Sequence, residues 1–267
     1  MKKTRRKALG QHFLTHRKTL LRIVAVIAPR AGEIIVEIGA GKGALTRYLA
    51  LSGADIIALE KDKALIPHLK KLDYSNLVVL EKDVLRTRFR DLVHGKTGKI
   101  VGNLPYAISS PILFKVLEEK DTISSCVFLL QKEVAQRVCA SPGTKKYAPI
   151  SILLQNDFVP HLHFSVPATA FSPPPQVQSG LISLAKRPQA ISLVPHQEAF
   201  ARFLRASFQS RRKMLSNNLK ALAIPSSLIE ETYRVCGIDE KWRPEQVSLQ
   251  QYVALYTYLF RNEKKAF

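Results

Sequence analysis

Ile34-Ile35-Val36-Glu37-Ile38-Gly39-Ala40-Gly41-Lys42-Gly43 decides the fold. A strand-forming run passes directly into glycines spaced G-x-G-x-G, and a helical pattern follows over residues 43–51. A continuous apolar strand that turns sharply into a helix is the opening unit of a doubly wound α/β sheet. Glycine at 39, 41 and 43 lets the backbone turn tightly and approach a ligand without a Cβ clash. The spacing is neither the G-x-G-x-x-G of dinucleotide binders nor a phosphate-binding P-loop. Taken alone it also suits an ordinary strand-to-helix turn.

The alternation repeats downstream. Residues 55–60 read as a second strand and 62–71 as its helix. Strands follow at 77–80, 99–102 and 123–130, with helices at 109–119 and 132–140. Upstream, Leu20, Leu21, Val24 and Ile27 fall at helical spacing, so a helix precedes the sheet. After Ala140 the pattern changes: residues 157–164 and 178–184 read as late strands joined by the Pro-rich loop 167–175. Residues 186–195 form a linker, and 197–223, 226–235 and 249–260 are predicted to be helical. The expected organisation is a mostly parallel α/β domain over residues 1–188 and a small all-helical domain over 189–267.

Composition narrows the partners. The chain of 267 residues carries 41 Lys and Arg against 21 Asp and Glu, a net charge of +20. Residues 1–185 hold 27 basic and 14 acidic side chains and residues 186–267 hold 14 and 7, so both parts suit a polyanion. No apolar run is long enough to span a membrane, and the basic stretch Met1 to Lys7 leads into no apolar segment, so no secretory signal is expected. Cys126, Cys139 and Cys236 are far apart and odd in number, which fits a reducing cytosol and argues against disulfides or zinc. His161 and His163 have no third ligand nearby in sequence, and no metal is expected.

Two acids reinforce the glycine loop. Glu60 ends the second strand, 23 positions after Glu37, where a carboxylate suits the two hydroxyls of a ribose. Asp83 follows the third strand, where it can accept from an adenine amino group. Either acid alone also suits a helix N-cap, but their joint placement at neighbouring strand ends favours a nucleoside cofactor.

Asn103-Leu104-Pro105-Tyr106 closes the fourth strand. An exocyclic adenine amine is a poor nucleophile because its lone pair is delocalised into the ring. Two acceptors for its N–H groups, the Asn103 side-chain oxygen and a backbone carbonyl near Pro105, would position it and favour pyramidal nitrogen. Pro105 fixes the chain direction, and Tyr106 can stack on a base. The bland alternative is an Asn-Pro turn with a surface tyrosine.

With these motifs on the page, the chain resembles the ribosomal RNA adenine N6-dimethyltransferases, and closely the bacterial small-subunit (16S) branch. The resemblance runs in order through Gly10-Gln11-His12-Phe13-Leu14, the glycine loop, Glu60-Lys61-Asp62, Asp83 and Asn103-Leu104-Pro105-Tyr106. It continues through Gln131 to Arg137, Phe171-Ser172-Pro173-Pro174-Pro175-Gln176-Val177-Gln178-Ser179 and Phe208-Gln209-Ser210-Arg211-Arg212-Lys213-Met214-Leu215. It implies a Rossmann-like class I methyltransferase sheet with an antiparallel strand late in the chain. It implies S-adenosylmethionine as cofactor, with contacts from His12, Leu14, Gly39, Glu60, Asp83 and Asn103. It implies catalytic positions at Asn103, Pro105, Tyr106 and Phe171, with Phe171 stacking on the target adenine opposite Tyr106. Arg211, Arg212 and Lys213 would touch RNA phosphates. The expected substrate is two adjacent adenosines in the 3′-terminal hairpin loop of 16S rRNA within an immature 30S subunit, acted on by a cytoplasmic monomer. Two departures stand out: the family often has Asn where His12 stands, and commonly Lys and Asp at Gln176 and Gln178.

Two rivals remain at this point. Macrolide-resistance enzymes modify large-subunit rRNA with nearly the same catalytic motifs, although the 211–213 basic run resembles the small-subunit branch more. The other is a ribosome-assembly factor without catalysis, which intact Glu60, Asp83, Asn103 and Tyr106 disfavour.

Overall fold

A computed structural model describes residues 12–194 and 197–260. The basic stretch Met1 to Lys7, the motif residues Gly10 and Gln11, and the linker end at Pro195 lie outside the described residues.

The chain enters through a two-residue strand β1 (Phe13–Leu14) and helix α1 (Arg17–Ile27), which buries Leu20, Ile23 and Ile27. Then come β2 (Ile34–Ile38), α2 (Thr46–Ala50), β3 (Asp55–Glu60), α3 (Ile66–Lys70) and β4 (Leu77–Glu81). They are followed by α4 (Phe89–Leu92), β5 (Gly98–Asn103), α5 (Ser109–Glu118), β6 (Ile123–Gln131) and α6 (Lys132–Val138). Next are α7 (Pro149–Asp157), β7 (Phe158–Val166), β8 (Phe171–Ser172) and β9 (Ser179–Lys186). Helices α8 (Gln197–Ser207), α9 (Leu215–Lys220), α10 (Ser226–Cys236) and α11 (Leu249–Leu259) complete the described chain.

Seven strands form one sheet in the order β4-β3-β2-β5-β6-β9-β7. Neighbours from β4 through β6 run parallel, and β9 is antiparallel to β6. Strand order reverses between β2 and β5, so the crevice at their carboxyl ends is the natural ligand site of an open α/β sheet. This is a doubly wound, mostly parallel sheet with a late antiparallel strand. Ile35, Val36, Ile56, Ala58, Ile100, Val101, Cys126 and Phe128 are all sealed from solvent or nearly so, as expected of strands covered on both faces. Lys99 ties α1 to the sheet. Its ammonium donates to the carbonyls of Ile27 and Ala28 at the helix end, 3.1 and 3.0 Å away, and pairs with Glu33 at 2.8 Å.

The chain divides into two units: residues up to Ala135 with Val159–Lys186, and Gln136–Phe158 with the residues from Arg187 on. The first holds the sheet. The second has its own core, in which Tyr147 and Ile152 join Phe200, Phe203, Leu215, Tyr252 and Tyr256. The Tyr252 hydroxyl, buried in that core, donates to the Pro244 carbonyl at 2.9 Å. Ser248 and Gln251 form a reciprocal capping box that starts α11.

Four features depart from the pattern-based expectation. The helix after the glycine loop begins at Thr46 rather than Gly43, because Gly41 and Gly43 hold positive φ values of 62° and 80°. The predicted helix 197–223 is broken after Ser207. There the Asn218 side chain donates to the Ser207 carbonyl at 2.7 Å and accepts from the Ser210 amide at 3.2 Å, holding a turn. The basic run 211–213 therefore sits in turns rather than on a helix face. Helix α7 and the β1–β8 pairing were not foreseen from the pattern.

The sheet is tightest beside the site. A Cβ built on Gly102 would sit 2.6 Å from the Ile38 carbonyl oxygen of the neighbouring strand, which cannot move without shifting β2. Gly102→Ala is expected to destabilise the protein by about 1–3 kcal/mol, a typical overpacking cost. Chemical denaturation checks this; an unchanged midpoint would show that β2 and β5 can separate freely.

Candidate active site

The glycine loop is shaped by its own backbone and by one carboxylate. Gly39 N and Ala40 N donate to the Leu59 carbonyl at 2.9 and 3.2 Å, which binds the turn to β3. Glu60, only 6% exposed, accepts from Gly41 N at one oxygen and from Asp62 N at the other, both at 2.8 Å. A carboxylate has about four acceptor sites, so two remain for an incoming ligand. Phe13 leans on the loop from above: a Cβ on Gly41 would meet its ring at 3.1 Å.

Beneath the loop lies Glu37, 3% exposed, with Oε2 lacking any hydrogen-bond partner within the protein. Burial pushes its carboxyl up to about 8; the nearby Thr46 hydroxyl opposes the shift and the Glu60 charge adds to it. Thr46 Oγ1 is close enough to favour the charged form but does not reach hydrogen-bonding geometry. The pattern reading quoted Glu37 without giving it a role, and its burial depth is what marks it.

A cavity of about 410 Å³ opens against these residues, walled by Leu14, Glu37, Gly39, Lys42, Asn103 and Leu129 among others. A smaller one of about 70 Å³ shares Gly39, Gly41 and Asn103 and adds His12, Glu60, Pro105 and Tyr106. Of the expected cofactor residues, His12, Leu14, Gly39, Glu60 and Asn103 thus wall one or both cavities. Asp83 walls neither. It caps the turn Val84–Arg86 through Leu85 N at 3.0 Å, pairs with Lys61 at 2.8 Å and borders an open depression with Glu81 and Arg86. The Lys61 ammonium is the main reason its carboxyl is held below the usual range.

At the end of β5, Asn103 Nδ2 donates to the His12 carbonyl at 2.9 Å. This fixes the amide plane and leaves Oδ1 as a vacant acceptor among the described residues. The Pro105 carbonyl is already taken by Ile108 N at 3.0 Å and Ser109 Oγ at 3.2 Å, which leaves the Leu104 carbonyl as the candidate second acceptor at this corner. Half-buried Tyr106 is anchored by a 2.9 Å bond between its hydroxyl and Ser179 Oγ, and its ring lies 5.8 Å from that of His12. Burial raises the Tyr106 hydroxyl pKa, although the Ser179 bond favours ionisation, so the phenol is neutral.

Phe171 is placed differently from the rest. It lies on β8, paired with Leu14 of β1, and is 4% exposed in the core beside Leu129, Val166 and Leu181. Gln178 accepts from the Lys132 ammonium at 2.9 Å. In the helical unit Arg212 and Lys213 are exposed, whereas Arg211 donates to the Lys145 and Tyr147 carbonyls at 2.6 and 2.9 Å. Among the described residues no group of three or more metal-ligating side chains exists, and no helix is long and apolar enough to cross a membrane.

Comparison with known proteins gives the family. A family model described as "Ribosomal RNA adenine dimethylase" matches residues 2–260. A Ribosomal RNA small subunit methyltransferase A from Geobacter sulfurreducens is 42% identical over 258 residues, covering 94% of this chain and 93% of the relative. Its namesake in Bacillus cytotoxicus is 39% identical over 273 residues, covering 97% and 93%. A crystal structure of a dimethyladenosine transferase from Plasmodium falciparum superposes with a TM-score of 0.80 at 24% identity, covering 96% of this chain and all of that one. A glycine loop stapled by Glu60 and an Asn-Leu-Pro-Tyr corner facing one crevice are thus carried by a chain that belongs to the ribosomal RNA adenine dimethylase family.

Proposed function

We propose that this protein transfers methyl groups from S-adenosylmethionine to N6 of two adjacent adenosines in the 3′-terminal hairpin loop of 16S rRNA. The substrate is an immature 30S subunit, the enzyme a cytoplasmic monomer, and the reaction a step in small-subunit biogenesis. The observation that carries this reading is the vacant Asn103 Oδ1 beside the Leu104 carbonyl, opening on the crevice that the glycine loop walls. Transfer is assigned to residues 1–188 and RNA contact to residues 189–267, with Arg211, Arg212 and Lys213 supporting the latter.

The residues present fit this cofactor. The orphaned Glu37 Oε2 at the cavity wall suits a cationic group, and Glu60 retains acceptor capacity for ribose hydroxyls. Gly39, Gly41 and Leu14 leave an uncluttered apolar wall, and Asp83 is assigned the adenine amine, for which it must share its oxygens with Lys61 and Leu85 N. When bound, S-adenosylmethionine supplies a methyl group made electrophilic by its sulfonium. Asn103 and the Leu104 carbonyl accept the two N–H groups of the target amine and draw its lone pair out of conjugation. Tyr106 stacks on the base, and Phe171 covers the other face once its ring leaves the packing it has here. Pro105 sets the direction of the corner. Most of the acceleration comes from this positioning and from dipoles aimed at the nitrogen, whose proton leaves readily once it carries positive charge. No general base or metal is assigned.

Labelled S-adenosylmethionine supplied with undermethylated 30S subunits, 50S subunits and naked rRNA tests the reading. N6-dimethyladenosine should appear in 30S subunits, and Asn103→Ala should lower the rate by about 10²–10³-fold, the usual effect of removing one aligned dipole. Label in 23S rRNA would move the protein to the resistance branch. Absence of transfer with subunit binding retained would leave an assembly factor.

Glu37 generates a second prediction, in ligand-free protein. Its folded pKa of about 8 exceeds the unfolded value, so its neutral form contributes stability that is full below about pH 4.5 and is lost as pH rises through 8. Glu37→Gln should flatten this decline and melt roughly 5 °C above the parent at alkaline pH. Parallel melting curves between pH 5 and 9 would show that Glu37 is ionised throughout.

A further inference from the structure

Segment 141–147 carries consecutive lysines on a loop held from several directions. Gly143 N donates to the Glu245 carbonyl at 2.7 Å, Thr144 Oγ1 to the Ser141 carbonyl at 2.8 Å, and Tyr147 N to the Thr144 carbonyl at 3.1 Å. The Tyr147 ring is 1% exposed within the helical core. Arg211 Nη2 closes the arrangement with its bonds to the Lys145 and Tyr147 carbonyls. All these groups belong to the helical unit.

Lys145 and Lys146 are exposed, and Lys146 Nζ donates to the neutral amide oxygen of Gln136. Among the described residues no carboxylate lies within ion-pair distance of Lys145, Lys146, Arg211, Arg212 or Lys213. These cations stand on two chain segments joined by hydrogen bonds, with no counter-charge. Such an arrangement costs self-repulsion that an anionic partner relieves. A lipid surface needs charge but no fixed geometry, whereas a loop held this firmly suits the fixed spacing of phosphates along a structured RNA.

We infer that loop 141–147 is a phosphate-contacting surface for structured RNA, with Lys145 and Lys146 as contacts and Arg211 as the positioning residue that holds them. The inference rests on the RNA-directed function proposed above and refines it. Of the run 211–213, Arg211 directs its guanidinium to protein carbonyls, while Arg212 and Lys213 remain open to the same partner.

The test uses the full chain and a labelled 3′-terminal stem-loop of small-subunit rRNA, with anisotropy read from about 50 to about 200 mM salt. The doubly substituted Lys145→Ala/Lys146→Ala protein should bind roughly tenfold more weakly, and its log K against log salt slope should fall by about 1.5–2, the contribution of two phosphate contacts. Both positions are exposed, so its thermal melt should match the parent. Arg211→Ala should weaken binding by itself but add little to the double substitution, because the lysines it positions are already gone. A double-substituted protein with parental affinity and slope would overturn the inference, as would loss of binding to anionic phosphatidylserine vesicles alone. Additive loss from Arg211→Ala, with a further drop in slope, would make Arg211 a direct contact. Failure of the parent to bind either the stem-loop or undermethylated 30S subunits would sink the RNA-directed function as well.

Discussion

The bond from Gly41 N to the Glu60 carboxylate is the constraint on which the site depends. It reaches from the loop after β2 to the end of β3 and fixes how far the glycine turn stands from the sheet. The other Glu60 oxygen holds Asp62 N, so one buried side chain sets the exits of two strands. Everything the crevice offers is measured from that point. Phe13 packs on Gly41, β1 carries His12 to Asn103, and Pro105 lies 3.9 Å from where a Gly39 Cβ would be. Glu37 sits deeper, with no protein donor for Oε2, and burial pushes its carboxyl up to about 8.

The sheet was legible because its strands are unbroken apolar runs ended by glycine or acid, a pattern needing no tertiary information. Helix lengths were less so. The start of α2 waits for three positive-φ glycines, and the break after Ser207 depends on Asn218, eleven residues on, bonding across the turn. Helix α7 lies in a segment with no clear period in the sequence reading. At the site, Asn103, Glu60 and Gly39 could be singled out as candidates because motif and strand end coincide, whereas His12 and Leu14 rested on the family resemblance alone. The surroundings of Phe171 and Arg211 were not readable. One is set by a two-residue antiparallel pairing across 157 positions, and the other by carbonyls 64 and 66 residues away. Periodicity carries no trace of such distant backbone partners.

The two acceptors at the Asn-Leu-Pro-Tyr corner also explain its composition. Asn103 needs both halves of its amide, one as donor to the His12 carbonyl and one as acceptor toward the crevice. Aspartate would lose the donor and leave the His12 carbonyl facing a negative charge. Pro105 withholds an N–H that would otherwise crowd the corner, and its own carbonyl is consumed by the turn into α5. The neighbouring Leu104 carbonyl is thereby the one left as a candidate acceptor.

The segment leading into β1 reaches Asn103 through the main-chain carbonyl of residue 12, not through the side chain. A carbonyl is the same whatever residue supplies it, so the hold on Asn103 does not depend on which side chain stands at position 12. The His12 ring is thereby left to a separate contact, 2.8 Å from Nδ1 to the Pro173 carbonyl, which ties the segment before β1 to the Pro-rich loop after β8.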